Sequence, residues 1–221
     1  YAYCEHYVLT LGTRSAGEIS EFMDKLPGDE KQKLAQIRAA YTYQMLHPGI
    51  KMTSPGKELS REMETFFHDL NELYCSHPAL WQKDHEYEGF EWIQLMKYEE
   101  NVLTFMRKTE KPEETLVAVV NFAAVPYENY QIGVPFKGKY KEIFNSDRKE
   151  YGGMGAGNPR AKSSKAEECD ERENSLKIRI PAFGAVVLSC TLAEKAEKKP
   201  LKKPAARKRS TAKKTSKKPA A

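Results

Sequence analysis

The first place in this sequence where chemistry could sit is VLTLGTRSAGE, residues 8–18, an apolar strand that breaks at Gly12 into a small polar loop. Loops after strands carry many of the reactive groups of α/β proteins. This one offers Arg14 and Glu18 as its charged groups and has no Asp, His or Cys. A cation and a carboxylate without a nucleophile read as a solvated loop, so no catalytic residue is assigned there. The four cysteines, Cys4, Cys75, Cys169 and Cys190, are scattered, with no CxxC pair and no histidine at ligand spacing. They predict reduced structural thiols instead of a zinc site or a disulfide scaffold, and neither a metal nor a cofactor is expected. His47 and His77 each precede a proline, a helix-boundary position. The acidic run Glu167, Glu168, Asp170 and Glu171 reads as a solvated loop.

Charge divides the chain into two unlike parts. The whole carries 36 Lys/Arg and 31 Asp/Glu, a formal +5. From Ala193 onward there are twelve Lys/Arg and two Glu, a net +10, which leaves 24 basic and 29 acidic residues, a net −5, on the rest. The C-terminal stretch is Lys/Ala/Pro low-complexity sequence that cannot bury enough apolar area to offset its ordering entropy. Residues 192–221 are therefore expected to be a disordered basic tail. Lys202, Lys203, Arg207, Lys208, Arg209, Lys213 and Lys214 are its candidate contacts to nucleic acid or another polyanion. The sequence shows no signal-peptide pattern and no apolar run long enough to span a membrane, and the expectation is no membrane partner and a cytoplasmic location.

The elements that would position any site fall in two blocks. Residues 29–46 predict a helix with Leu34, Ile37, Tyr41 and Met45 on one face, and 58–75 a second with Leu59, Met63, Phe66, Leu70 and Leu73. The apolar period then changes from 3.6 to 2. GFEWIQLM (89–96), NVLTFMR (101–107), TLVAVVNF (115–122), YQIGV (130–134), KYKEIFN (139–145), SLKIRIP (175–181) and GAVVLSC (184–190) read as strands. Short strands at turn-punctuated spacing indicate an antiparallel β-sandwich. The Gly-rich insert 152–174 reads as a long, mobile loop, and Asn145-Ser146-Asp147 as a turn whose side chains cap local backbone.

Several segments in order carry a resemblance. MDKLPGDEKQKLAQIRAAYTYQMLHPGIK (23–51), HDLNELYCSHPALW (68–81), GFEWI (89–93), NFAAVPYENYQIGVP (121–135), KEIFNSDRKEYGGMGAGN (141–158) and PAFGAVVL (181–188) together resemble the glycogen branching enzymes of the α-amylase superfamily. The resemblance covers roughly residues 3–190. It implies that 1–83 is the end of a (β/α)8 barrel, from strand seven to the last helix, and that 84–191 is the C-terminal all-β domain. The fold class expected is mainly β, a C-terminal antiparallel β-sandwich preceded by two helices left from a truncated barrel.

The resemblance also says what the opening loop should contain. In the family the loop after strand seven reads roughly Ser-His-Asp-Glu, with an essential carboxylate. Here Leu11-Gly12-Thr13-Arg14-Ser15 stands in that place. The family's nucleophile and acid/base carboxylates belong to strands four and five, which this chain does not contain. Retaining glycosyl transfer requires both. The expectation is a fragment or degenerate homologue of a branching enzyme, inactive alone. The alternative is a non-catalytic sandwich module that binds glucan or a partner. Aromatic rings match the apolar faces of pyranoses, which makes Trp81, Tyr87 and Trp92 stacking candidates, although Trp92 alternates with Phe90 as a core residue would. Tyr127, Tyr130 and Tyr151 flank turns and are the expected exposed α-glucan contacts.

Overall fold

The structure is a computed structural model, and it describes residues 23, 25–51, 59–94 and 98–193. Helix α1, Glu30–Leu46, starts at a reciprocal cap: Asp29 accepts from the Gln32 backbone at 2.8 Å, and the Gln32 side chain accepts from the Asp29 backbone at 3.1 Å. It ends at His47, as Pro48 requires. Helix α2, Arg61–Ser76, is capped by Ser60 and closes at His77, before Pro78. Its buried stripe is Met63, Phe66, Phe67, Leu70 and Leu73, the face expected from the spacing. Helix α1 departs from its single expected stripe. Ile37, Tyr41 and Met45 are buried, but so are Arg38, Ala39, Ala40, Thr42 and Tyr43, because α2, β3 and β8 surround the second half of the helix. No helix among the described residues is long and apolar enough to cross a membrane.

Among the described residues eight strands follow: β1 Phe90–Gln94, β2 Val102–Arg107, β3 Leu116–Asn121, β4 Tyr127–Val134, β5 Gly138–Asn145, β6 Lys162–Ser163, β7 Asn174–Ile180 and β8 Gly184–Leu192. Six form an antiparallel sheet in the order β1-β2-β3-β8-β5-β6, and β4 pairs with β7 in a second, two-stranded sheet. Among the described residues the fold is mainly β and antiparallel, with two α-helices.

The six-stranded sheet is the middle of three layers. Leu116, Ala118 and Val120 of β3, with Ala185 and Val187 of β8, pack toward the helices. Val117 and Val119, with Val186, Leu188 and Cys190, pack toward Ile132, Val134, Leu176, Ile178 and Ile180 of the second sheet. Every residue of β3 is buried, which is why LVAVVN shows no polar alternation.

The insert 152–174 is not the free loop that its composition suggests. Asn158 donates from its backbone to Glu142 at 2.8 Å and from its side chain to the Arg179 carbonyl at 2.9 Å, and it accepts from the Arg179 backbone at 2.8 Å. Lys165 bridges Ser175, and Asp170 accepts from the Gly133 backbone at 2.9 Å. Strand β6 sits inside the insert, too short to show a period. The turn before it is built as its residues predict. The Asp147 carboxylate accepts from Met154 and Ala156, each at 2.9 Å, and the Asn145 side chain accepts from the Asp147 backbone at 2.8 Å. A Cβ at Gly153 would lie 2.3 Å from the Asp147 carbonyl oxygen, so the turn excludes a side chain there.

Candidate functional site

Alternation along β2 sends Leu103, Phe105 and Arg107 to the helix side of the sheet. The first two are ordinary core. Arg107 is a fully buried cation. Its guanidinium donates to Asp84, to the Leu46 carbonyl at 2.7 Å, to the Leu80 carbonyl at 3.1 Å and to the Gly89 carbonyl at 3.3 Å. Lys51 joins this node. Its ammonium donates to the His47 carbonyl and to the Gly49 carbonyl at 2.7 Å, lies 3.5 Å from Asp84, and sits 5.4 Å from the Tyr74 ring centroid.

The node has a local electrostatic reason. Helix α1 has no basic residue in its last turn, so its negative end is unmatched within its own sequence. Arg107 and Lys51 supply that charge from other segments. Burial pushes the Lys51 ammonium down to about 8, with Asp84 opposing and Arg107 reinforcing the shift. Burial likewise lowers Arg107, and Asp84 counters it.

Around this node the chain displays apolar side chains to solvent. Trp81 is 45 % exposed, Tyr87 93 % and Ile50 72 %. Exposed polar residues alternate with the two rings: Gln82, His85, Glu86 and Glu88. Gly89 approaches so closely that a Cβ there would lie 2.2 Å from the Lys83 carbonyl oxygen, so the segment is folded tightly on itself.

The three tyrosines expected at the surface are placed differently. Tyr151 is 1 % exposed. Its ring lies 5.5 Å from Phe66 and stacks at 5.9 Å on Phe144, and its hydroxyl donates to Asp69 at 2.7 Å. Tyr130 is also buried, with its hydroxyl on Glu100. Tyr127 is half-buried, its ring 5.0 Å from that of Tyr130. The exposure expected of Tyr130 and Tyr151 is thus corrected. A position beside a turn says where the chain reverses, not on which side the ring falls. Trp92 is half-buried against His47, Phe90 and Phe105. Arg14, Glu18 and the tail cations from Lys202 to Lys214 lie outside the described residues.

The partly or wholly buried carboxylates have structural partners. Asp84 holds Arg107 and Lys51, Glu91 holds Lys108 and Arg172, Glu142 holds Asn145 and Asn158, and Asp147 holds its own turn. His68, Asp69 and Glu72 on α2 bring ligand atoms within 4.8 Å of one another. In that group the two Asp69 oxygens already accept from Tyr151 and pair with His68.

Residues 92–191 match the family described as "Alpha amylase, C-terminal all-beta domain". Over a longer stretch the chain is 37 % identical to the 1,4-alpha-glucan branching enzyme GlgB of Desulfitobacterium hafniense (strain Y51), covering 87 % of this chain and 34 % of that protein. It is 35 % identical to the enzyme of the same name from Bacillus cereus (strain AH820), covering 90 % and 34 %. Among solved structures, the alpha-amylase from H. orenii aligns with a TM-score of 0.42 at 19 % identity, over 77 % of this chain and 37 % of that one. The chain spans about a third of the length of the curated relatives it matches.

The node lies across the edge of the all-β domain. Arg107 is inside the matched segment, whereas Leu46, Lys51, Leu80, Asp84 and Gly89 precede it. The domain is joined to the helical part by a buried charge cluster as well as by the apolar layer between α1, α2 and the sheet. Sequence reasoning missed this cluster. The available signal was Arg107 in register with Leu103 and Phe105, a cation on the buried side of an alternating strand.

Proposed function

We propose that this chain serves α-1,4-glucan branching as a glucan-facing, non-catalytic part of a branching-enzyme-like protein, and that alone it forms no branches. The observation that carries the reading is its similarity to 1,4-alpha-glucan branching enzymes over 87 % of its length, helices and all-β domain together. The second half of the reading rests on chemistry. Transfer with retention requires a nucleophilic carboxylate and an acid/base carboxylate across the scissile bond. The loop that resembles the family's strand-seven loop, Leu11–Ser15, contributes neither Asp nor His. The division into 1–83, 84–191 and 192–221, and a cytoplasmic setting, belong to the same reading.

The test is incubation of the pure chain with amylose, followed by iodine staining and chain-length profiles after debranching. Unchanged staining and an unchanged profile are expected. Any new α-1,6 linkage overturns the non-catalytic reading.

A second reading is favoured by the charge partition. A +10 segment attached to a −5 body suits binding of DNA or another polyanion through the tail, independent of glucan.

A further inference from the structure

Three of the large apolar side chains exposed among the described residues belong to one neighbourhood. Ile50 lies between Gly49, whose backbone donates to Asp84 at 3.3 Å, and Lys51, which pairs with Asp84. Trp81 follows Leu80, and Tyr87 stands two residues before Gly89; both of those carbonyls are held by Arg107. The rings are therefore presented by backbone that a buried cation fixes at both ends. Binding on such a segment loses little ordering entropy. A mobile loop carrying the same side chains would lose more.

The composition of the patch selects the class of ligand. Exposed Trp and Tyr provide flat apolar faces, and Gln82, His85, Glu86 and Glu88 stand between and beside them as hydrogen-bonding groups. A pyranose chain has the complementary alternation: apolar C–H faces that stack on rings and a rim of hydroxyls that bond to carboxylates, amides and imidazole. The one cation of the stretch, Lys83, is turned to Glu86 at 3.3 Å and to Glu110 at 3.9 Å. An acidic rim with its lysine already paired disfavours polyanions and leaves a neutral ligand favoured.

We infer that residues 80–89, together with Ile50, form a platform for a neutral α-1,4-glucan chain, stacked on Trp81 and Tyr87 and bonded through its hydroxyls by the rim. This rests on the glucan reading above. It moves the contact from Tyr130 and Tyr151, which are buried, to rings that are free to stack.

The test is electrophoresis of the full chain in native gels with and without glycogen. Trp81→Ala, Tyr87→Ala, the double variant and the conservative Trp81→Phe are compared with Tyr127→Ala. The platform predicts that glycogen retards the wild-type chain. Each alanine variant should weaken retardation by about tenfold in apparent affinity, the scale of one buried ring, and the double variant should abolish it. Trp81→Phe should restore most of it, Tyr127→Ala should leave it unchanged, and added salt should have little effect. Thermal midpoints equal to wild type establish that the surface variants fold. Retardation of the double variant equal to wild type overturns the platform and leaves the glucan reading standing. No retardation of the wild-type chain overturns both, without touching the branching assay. Loss of self-association in the double variant with glycogen binding unchanged also overturns the platform, by showing the patch to be a contact between copies of the chain.

Discussion

Arg107 and Asp84 form an ion pair in which the two side chains are 1 % and 8 % exposed. Their Cα positions belong to different blocks of the sequence, one inside the all-β domain and one before it. Taking two charges out of water is costly, and the pair is stable here because Arg107 also satisfies three backbone carbonyls.

Breaking that pair from one side should be more damaging than removing it from both. Arg107→Met is expected to destabilise the protein by about 3–5 kcal/mol, because it leaves Asp84 and the Leu46, Leu80 and Gly89 carbonyls short of a donor. The double variant Arg107→Met/Asp84→Asn should recover part of that loss. Urea midpoints of the four proteins of the cycle measure the coupling. Losses that simply add would show that the two side chains act independently.

Lys51 gives an alkaline signature. Its folded-state pKa, pushed down to about 8 by burial, lies below the ordinary 10.5 that the unfolded chain retains. Below about pH 8 both states hold the proton, and Lys51 adds no pH dependence. Between about pH 8 and 10.5 the unfolded chain binds more protons, so this group makes stability rise with pH. The difference in urea midpoint between wild type and Lys51→Met should grow in favour of wild type across that window. A difference independent of pH would refute the assignment. Tyr43, which burial pushes up to about 12, is common to both proteins and cancels in the comparison.

Tyr151 and Asp69 give an acid signature. Burial pushes the Asp69 carboxyl up, but hydrogen bonds from Tyr151 and His68 outweigh it and hold the group below its ordinary value. A depressed carboxyl adds stability that is present above pH 3.8 and is lost as pH falls through the folded-state value. Tyr151→Phe should cost about 1 kcal/mol at neutral pH and flatten this acid limb. Tyr151→Ala should cost about 3–5 kcal/mol at any pH, because it empties a core position beside Phe66 and Phe144. Equal pH profiles for wild type and Tyr151→Phe would rule out the coupling.

The tail should bind by charge alone. Deleting residues 194–221 should abolish binding to duplex DNA. In the full chain, affinity should fall about a thousandfold between ~50 and ~200 mM salt if about six of its cations engage phosphate. Fluorescence anisotropy with a labelled duplex reads both. Binding that ignores salt, or that survives the deletion, would place the contact elsewhere.

The strands were legible wherever one face alone is buried. SLKIRIP shows Leu176, Ile178 and Ile180 inward and Lys177 outward because β7 is an outer-layer strand. Helix α2 was legible for the same reason. Helix α1 was less so, because a helix enclosed on several sides has no single stripe. The exposure expected of Tyr130 and Tyr151 was misread because both rings are drawn inward to acceptors distant in sequence, Glu100 and Asp69. Arg107 was legible only as a cation in register with Leu103 and Phe105; its partners, Asp84 and three carbonyls brought together by the tertiary fold, leave no local pattern.

The strand order β3-β8-β5 places residues 184–192 between two strands made much earlier in the chain. During synthesis, β1, β2 and β3 can pair as a meander, but the β8-facing edges of β3 and β5 stay open until β8 has left the ribosome. Those edges are LVAVVN and GKYKEIFN, one of them wholly apolar but for its last residue. Until then the nascent protein carries a row of unpaired amides flanked by β-branched side chains, which invites pairing between neighbouring chains. A stop codon shortly before residue 184 would make that transient state permanent, and the product should accumulate as aggregate instead of as a shorter soluble protein.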